Sequence, residues 1–170
     1  MILYHGGITA IENPRIIPNS IGRDFGPAFY TTDIKEQAQR WTLRRMQTAV
    51  RSEDKTVKAV VSVFEYDDIL ACQRLSLKNF PDVSLDWLDL VIACRSDRDC
   101  SHGYDIVSGK IANDNVGETV AYVLAGVMRK EDALVRLKFQ KINHQIAFCT
   151  NRALTFLKYK SHFILEVPHD

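Results

Sequence analysis

Residues able to do chemistry gather in three separate segments of the sequence. His5 is followed by two glycines, and because glycine has no side chain, a ligand can approach the backbone of Gly6 closely. Tyr30 and Trp41 offer aromatic faces that stack on flat rings. Gln145 carries an amide that both donates and accepts hydrogen bonds. Each of these residue types can bind a ligand, so we take them as candidates.

Each candidate also has a purely structural interpretation. His5 and its glycines could form the exposed end of a strand and a plain turn. Tyr30 and Trp41 could pack in the core, as most aromatic residues do. Gln145 could be a polar residue of an edge strand. The sequence alone leaves both interpretations open.

The cysteines carry little signal for a metal or a disulfide. Cys94, Cys100 and His102 have the residue types of metal ligands, but no fourth ligand lies nearby, as a structural zinc site requires. All four cysteines, which are Cys72, Cys94, Cys100 and Cys149, are scattered along the chain without tight pairing. We therefore predict no metal and a reducing, cytoplasmic location.

Hydrophobic periodicity and turn residues predict a series of short elements that position these segments. Residues 8–27 hold three prolines and predict an irregular loop. We expect a first short strand in residues 1–4, which ends within residues 4–7. We expect further strands over 28–32, 57–66, 104–108, 145–149 and 162–167. We expect helices from residue 33 and over 85–94, 118–127, 131–137 and 151–159.

The order of these elements predicts an α+β fold in a single domain over residues 1–170. Strands and helices do not alternate regularly, as they would in a doubly wound parallel sheet. No repeat and no linker rich in proline, glycine or serine divides the chain. No Gly-x-Gly-x-x-Gly follows a strand and no Walker loop is present, so a dinucleotide would not bind in the Rossmann way.

Composition excludes some classes of protein. The chain has 170 residues, 46% hydrophobic and 25% charged, which suits a globular domain. Its net charge of +1 gives no global basic surface, although a local patch would still admit nucleic acid. No apolar run reaches the length of a membrane span, and the first residues lack a secretory pattern, so we expect no membrane association.

The three segments resemble those of the ADP-ribosyltransferase superfamily of the diphtheria toxin and poly(ADP-ribose) polymerase type. Residues 3–7 read Leu-Tyr-His-Gly-Gly, similar to the aromatic-His-Gly end of the family's first strand. Residues 25–32 read Phe-Gly-Pro-Ala-Phe-Tyr-Thr-Thr, and Trp41 lies eleven positions after Tyr30, as the family's second aromatic residue does. Residues 143–148 lie where the family's late strand begins Asn-Glu.

The chain is also similar to a bacterial family in this clan that has no assigned function. The features that carry this likeness are Asp-Phe-Gly at residues 24–26, Tyr-Asp-Ile-Val-x-Gly at residues 104–109, and Gln145. Some members of that family are encoded beside small partner genes, as in toxin–antitoxin pairs. The likeness thus implies a toxin held by a small antitoxin protein.

The resemblance implies a fold of two packed antiparallel sheets that split to form an NAD cleft, with helices outside. It implies that NAD is a co-substrate, broken at its nicotinamide–ribose bond through a cationic, oxocarbenium-like state. His5, Tyr30 and Gln145 would be catalytic. The residues that bind NAD would be His5, Gly6, Gly7, Arg23, Phe25, Gly26, Tyr30, Thr31 and Trp41.

Within that likeness each residue has an expected role. His5 would bond the adenosine-side ribose, the backbone of Gly6 would hold the nicotinamide amide, and Tyr30 and Trp41 would sandwich its ring. Thr31 either touches the ribose or supports its strand. Gln145 stands where the family has a glutamate; its carbonyl accepts the same hydrogen bond but offers only a dipole.

Charged residues near these segments are further candidates. Arg23 beside Asp24, or a group on the predicted helix, would meet the NAD pyrophosphate, although a basic helix is more often a solvated face. The helix group is Arg40, Arg44 and Arg45. Asp105 and Asp114 would line the acceptor side, although residues 112–115 also read as a turn.

The function implied is mono-ADP-ribosylation of a macromolecule, which is protein, RNA or DNA. A non-catalytic module that binds NAD or ADP-ribose on the same fold is the first alternative, with Gln145 as the lost catalytic group. A plain interaction protein, in which His5, Tyr30 and Trp41 are structural, is the second.

Overall fold

A computed structural model describes residues 1–18, 22–51, 57–111, 114–138 and 143–166. Within these residues, thirteen elements follow one another. The strands are β1 (Ile2–Gly7), β2 (Phe29–Thr31), β3 (Ala59–Tyr66), β4 (Leu77–Phe80), β5 (Ile106–Ile111), β6 (Asn143–Phe148) and β7 (Leu157–Leu165). The helices are α1 (Lys35–Arg51), α2 (Asp68–Arg74), α3 (Leu85–Ser96), α4 (Asp114–Leu124), α5 (Lys130–Lys138) and α6 (Asn151–Leu154).

The strands form two sheets, so the predicted α+β class is confirmed. The first sheet has the order β1-β3-β7, and its neighbours are antiparallel. The second has the order β2-β6-β5-β4, in which β4 runs parallel to β5. The expectation of two antiparallel sheets is therefore wrong for the second sheet, which is mixed. A parallel partner needs a long connection, and here α3 and its flanking segments separate β4 from β5.

Several predicted boundaries are also wrong. Helix α6 ends at Leu154 and the chain enters β7 at Leu157, whereas a helix was expected over 151–159. Helix α4 begins before Gly117, not after it. The elements α2 and β4 were not predicted at all. Residues 112–113 of the expected turn and residue 167 of the last predicted strand lie outside the described residues.

Two hydrogen bonds join the two sheets at the start of the chain. Tyr4 N–H donates to the Thr32 carbonyl oxygen at 2.8 Å, and Thr32 N–H donates back to the Tyr4 carbonyl at 3.0 Å. This bridge brings the end of β1 beside β2. It therefore brings together two of the segments that the sequence marks as chemical.

A disulfide joins Cys94, in the last turn of α3, to Cys100 in the following loop, with their Cα atoms 4.9 Å apart. The expectation of four unpaired cysteines is wrong for this pair, because the loop folds back over the helix end. Cys72 and Cys149 are free. Across the described residues, no three histidine, cysteine or acidic side chains converge as metal ligands would. No helix in this part of the chain is long and apolar enough to cross a membrane.

Candidate functional site

A cleft of about 490 Å³ opens beside the bridge between β1 and β2. Its volume lies in the range of small-molecule sites. Its walls come from β1, β2, α1, α3, β6 and the loop before β2. The residues that line it are His5, Gly6, Gly22, Arg23, Asp24, Tyr30, Trp41, Arg44, Arg45, Arg95 and Gln145.

His5 is buried in the wall of the cleft and is neutral at physiological pH. Its Nδ1 lies 2.8 Å from the carbonyl oxygen of Tyr30. Because a carbonyl only accepts, Nδ1 carries the proton and Nε2 is an acceptor. Burial, opposed by this hydrogen bond and aided by Arg45 and Arg23, lowers the pKa of His5 to about 4. His5 thus offers a ligand one hydrogen-bond acceptor.

Gly6 offers its backbone to the cleft. The N–H and C=O of Tyr4 point toward Thr32 rather than toward β3. Because backbone groups alternate along a strand, those of Gly6 point to the same side as those of Tyr4. A methyl group on Gly6 would overlap the carbonyl oxygen of Ala38 in α1 and lie 2.7 Å from Thr42 Oγ1. Only glycine lets α1 pack this closely on β1.

Tyr30 and Trp41 both line the cleft, as the sequence predicts. The Tyr30 hydroxyl donates to the Gly26 carbonyl at 2.6 Å, and burial raises its pKa far above the ordinary value. Tyr30 is 6% exposed, and the guanidinium carbon of Arg23 lies 5.2 Å from the centroid of its ring. Trp41 is half-buried and packs on the core from α1. In the cleft, the face of the Tyr30 ring is thus already in contact with the guanidinium of Arg23.

Gln145 reaches the cleft from β6, an interior strand between β2 and β5. The strand is therefore not an edge strand as a whole, although at Gln145 it pairs only with β5. Strand β2 ends at Thr31, opposite Ile146, so Gln145 lies just beyond the end of its neighbour. Its side chain forms no hydrogen bond with the described residues and is 9% exposed. The amide is thus held at the cleft by its strand rather than by polar partners.

A model of the protein family of unknown function DUF3990 matches residues 1–159. The chain belongs to the DUF3990 family. The matched range contains every residue that lines the cleft of this DUF3990 protein. No curated protein matches the chain.

The cleft of this DUF3990 protein is strongly positive. Four arginines line it, from three separate parts of the chain, with one carboxylate, Asp24. Burial, together with repulsion from Arg45, lowers the pKa of Arg23. Arg95 Nε donates to Asp24 Oδ1 at 2.7 Å, whereas Arg44 and Arg45 form no ion pair with the described residues. Like charges held together in this way favour a ligand with several negative charges.

Four residues of the predicted binding set do not line this cleft. Phe25 is fully buried in the core, and Thr31 is fully buried with its hydroxyl on the Ile146 carbonyl at 2.9 Å. Gly26, at φ +73°, packs against Cys100 and accepts the Tyr30 hydroxyl. Gly7 ends β1 beside the His5 ring. These four residues therefore pack next to the residues that line the cleft and do not line it themselves.

The two acidic candidates for the acceptor side differ in what the structure says of them. The Asp105 carboxylate accepts from the Ser76 backbone N–H at 2.9 Å and from the Thr150 hydroxyl at 2.6 Å, so it ties loops together away from the cleft. Asp114 begins α4, and its side chain lies outside the described set.

A second cavity of about 500 Å³ shares His5 with the first. Phe29, whose ring stacks on His5 at 4.6 Å between centroids, and residues of the loop after β1 form its walls. Arg15 and Glu12 bring charge to it. The histidine therefore faces two adjoining spaces, an arrangement that suits a ligand with two halves.

Arg95 is a cleft residue that sequence reasoning missed. It belongs to α3 and meets Asp24 across 71 positions of sequence. No local pattern marks such a contact, because it arises only when α3 packs beside the loop that precedes β2. Gly22, also missed, lies against the backbone of Arg95, and a methyl group there would come 3.1 Å from the Arg95 carbonyl oxygen.

Proposed function

We propose that this DUF3990 protein binds NAD in the arginine-lined cleft and transfers its ADP-ribose to a macromolecule. The observation that carries the proposal is the convergence of His5, Tyr30 and Gln145, from three distant segments, in one positive cleft. The order of these residues resembles that of ADP-ribosyltransferases, and the two-sheet α+β architecture is compatible with that fold.

The described residues fit the parts of NAD one by one. The backbone of Gly6 suits the nicotinamide amide, which needs one donor and one acceptor. A nicotinamide ring that stacks on Tyr30 or Trp41 replaces the guanidinium of Arg23, which then turns to the pyrophosphate. The neutral His5 accepts from a ribose hydroxyl through Nε2, and the second cavity receives the adenine end.

Gln145 acts on the nicotinamide-side ribose in this proposal. Its carbonyl accepts a hydrogen bond from a hydroxyl and directs a dipole at the charge that develops there. The C–N bond to nicotinamide breaks with its electron pair going to the nicotinamide. A lone pair of the acceptor then forms the new bond to the ribose carbon, and the acceptor releases its proton to water.

A second candidate is a module that binds NAD or ADP-ribose without turnover. The observation that favours it is the neutrality of Gln145, together with the pairing of Asp24 to Arg95. In that case the cleft would lack a negative charge free to stabilise a cation, and binding alone would remain.

Label transfer from NAD tagged on its adenylate distinguishes the two candidates. The protein is incubated with bacterial lysate that is then split into protein, RNA and DNA fractions. His5→Ala is the test variant, and His162→Ala, on exposed β7, is the matched control. We expect label in one fraction with wild type and the control, and at least about tenfold less with His5→Ala, since an oriented hydrogen bond is lost.

Because His5 is buried, thermal unfolding of His5→Ala is measured alongside, and Trp41→Ala serves as a second variant. No label and no loss of NAD with folded wild-type protein would contradict the transferase. Saturable NAD binding under those conditions would support the binding module instead.

A further inference from the structure

Arg95 enters the cleft already held by a carboxylate. Its Nε donates to Asp24 Oδ1 at 2.7 Å, and the Asp24 side chain is only 8% exposed. A hydrogen bond between two charged groups is short and strong. Because the guanidinium is planar, turning it would break the hydrogen bond that its Nε donates. The direction of the Arg95 side chain is therefore set before any ligand arrives.

Two glycines lie beside this arginine, and Gly22 leaves room for its backbone. A methyl group on Gly22 would lie 3.1 Å from the Arg95 carbonyl oxygen, tighter than ordinary contact. A methyl group on Gly117, in α4, would lie 3.5 Å from Nη1 and 3.9 Å from Nη2. The backbone of Arg95 is thus closely approached by Gly22, and its guanidinium lies at ordinary contact distance from the Gly117 position.

The outer edge of the guanidinium remains available to a ligand. Nη1 and Nη2 form no hydrogen bond with the described residues, and the residue lines the cleft. Arg44 and Arg45 line the same cleft from α1 and form no ion pair with the described residues. A fork of N–H donors with fixed direction, beside further cations, matches the oxygens of a phosphate group.

We propose that Asp24 positions Arg95 to bind a phosphate group of a diphosphate ligand. Asp24 acts here through Arg95, as a positioning residue, and Arg95 touches the ligand. Identifying the diphosphate with that of NAD rests on the proposed function; the binding of phosphate at Arg95 does not.

Removing the charge of Asp24 distinguishes two effects on ligand binding, the positioning of Arg95 and the overall attraction of the cleft for an anion. Asp24→Asn makes the cleft more positive by one charge, so attraction alone predicts tighter binding of an anion. Positioning predicts the opposite, because a neutral amide holds the guanidinium with a weaker hydrogen bond. The two explanations therefore differ in the sign of the change.

The experiment is a calorimetric titration of the full chain with inorganic pyrophosphate at fixed ionic strength. Asp89→Asn is the matched control, because Asp89 pairs with Lys130 on the surface and the change of charge is the same. We expect Asp24→Asn to weaken binding by about threefold to tenfold, as the loss of a charge-assisted hydrogen bond would. Asp89→Asn should bind as wild type does.

Arg95→Lys is the second variant and decides the matter if Asp24→Asn unfolds. Lysine keeps the positive charge but has no Nε and no fork, so we expect roughly tenfold weaker pyrophosphate binding. Thermal unfolding of each variant is recorded without ligand. Equal or tighter binding by folded Asp24→Asn, unchanged binding by Arg95→Lys, or no binding by wild type would each overturn the proposal.

A parallel titration with NAD distinguishes this inference from the proposed function. If pyrophosphate responds to both substitutions as expected and NAD does not bind, the phosphate site stands and the NAD proposal fails. If NAD binds and Arg95→Lys leaves both affinities unchanged, the NAD proposal stands and the role of Arg95 is wrong.

Discussion

Gln145 is the residue whose chemistry limits the cleft most. It lies in the wall without a polar partner among the described residues, and its amide offers a dipole where a glutamate would offer a full charge. The carboxylate in the wall, that of Asp24, is already paired with Arg95. The cleft therefore has little negative charge available to a ligand, whereas four arginines line it.

Gln145→Glu should accelerate ADP-ribosyl transfer if the proposed function is right. A carboxylate bonds the ribose hydroxyl roughly twice as strongly as an amide and adds negative charge to a cationic transition state, so we expect an increase on the order of tenfold. The measurement is single-turnover label transfer at saturating NAD. Gln47→Glu, exposed on α1, is the matched control and should leave the rate unchanged.

A folded Gln145→Glu protein that transfers more slowly than wild type would contradict this role. If neither wild type nor the variant transfers and both bind NAD equally, the result would favour the binding module. The thermal unfolding temperature of both variants shows whether a lost activity is only a lost fold.

The sequence marks residue types at the site better than it marks their directions. His5, Tyr30 and Gln145 follow from the order of short motifs, and the structure brings all three to the cleft. Phe25 and Thr31 belong to the same motif, yet both are fully buried. The motif alone does not determine whether a side chain points to the core or to the cleft. That direction depends on how other elements pack against the segment.

At the scale of elements, strongly patterned segments are predictable and short ones are not. The β-branched run in β3 is evident from the sequence, and the helix expected over residues 85–94 lies within α3. Helix α2 has seven residues and β4 has four, and neither pattern stands out. These two exist because Asp67 caps the helix and because β5 supplies a parallel partner for the strand.

The contact between α1 and β1 depends on one of the two neighbouring glycines. Gly6→Ala would place a methyl group against the Ala38 carbonyl and Thr42 Oγ1, both on α1. Because the helix backbone would have to shift to relieve this overlap, we expect a loss of about 1–3 kcal/mol in the free energy of unfolding. Denaturant unfolding followed by circular dichroism measures it.

Gly7→Ala is the matched control for this prediction. Its new methyl group would meet the Thr9 carbonyl oxygen at 3.4 Å and the His5 ring at 3.7 Å, which are ordinary contacts. We expect a change below about 0.5 kcal/mol, as for a substitution without overlap. Equal losses for the two alanines would show that the close packing of α1 on β1 is not the cause.

For the whole molecule, the arrangement of strands and charge is beyond what local patterns report. The second sheet joins strands that are distant in sequence, with β2 beside β6 and β4 beside β5. Likewise, a net charge of +1 conceals the four arginines that the fold gathers in one cleft. Both properties depend on contacts between residues tens of positions apart, which hydropathy and turn signals do not encode.

The disulfide between Cys94 and Cys100 should stabilise the whole molecule through its unfolded state. It closes a short loop, across a sequence separation of 6, and so removes conformations from the unfolded chain. A double substitution, Cys94→Ser with Cys100→Ser, should therefore lower the free energy of unfolding by about 2 kcal/mol. Urea unfolding without reductant measures this loss, and wild type in dithiothreitol should match the double variant.

Cys72→Ser is the matched control, because Cys72 is exposed and free, and it should unfold as wild type does. Thiol titration of the unfolded chain without reductant gives an independent check. Of the four cysteines, two should react in wild type, Cys72 and Cys149, since the other two are joined. Four reactive thiols would contradict the disulfide, and equal stability with and without reductant would contradict its stabilising role.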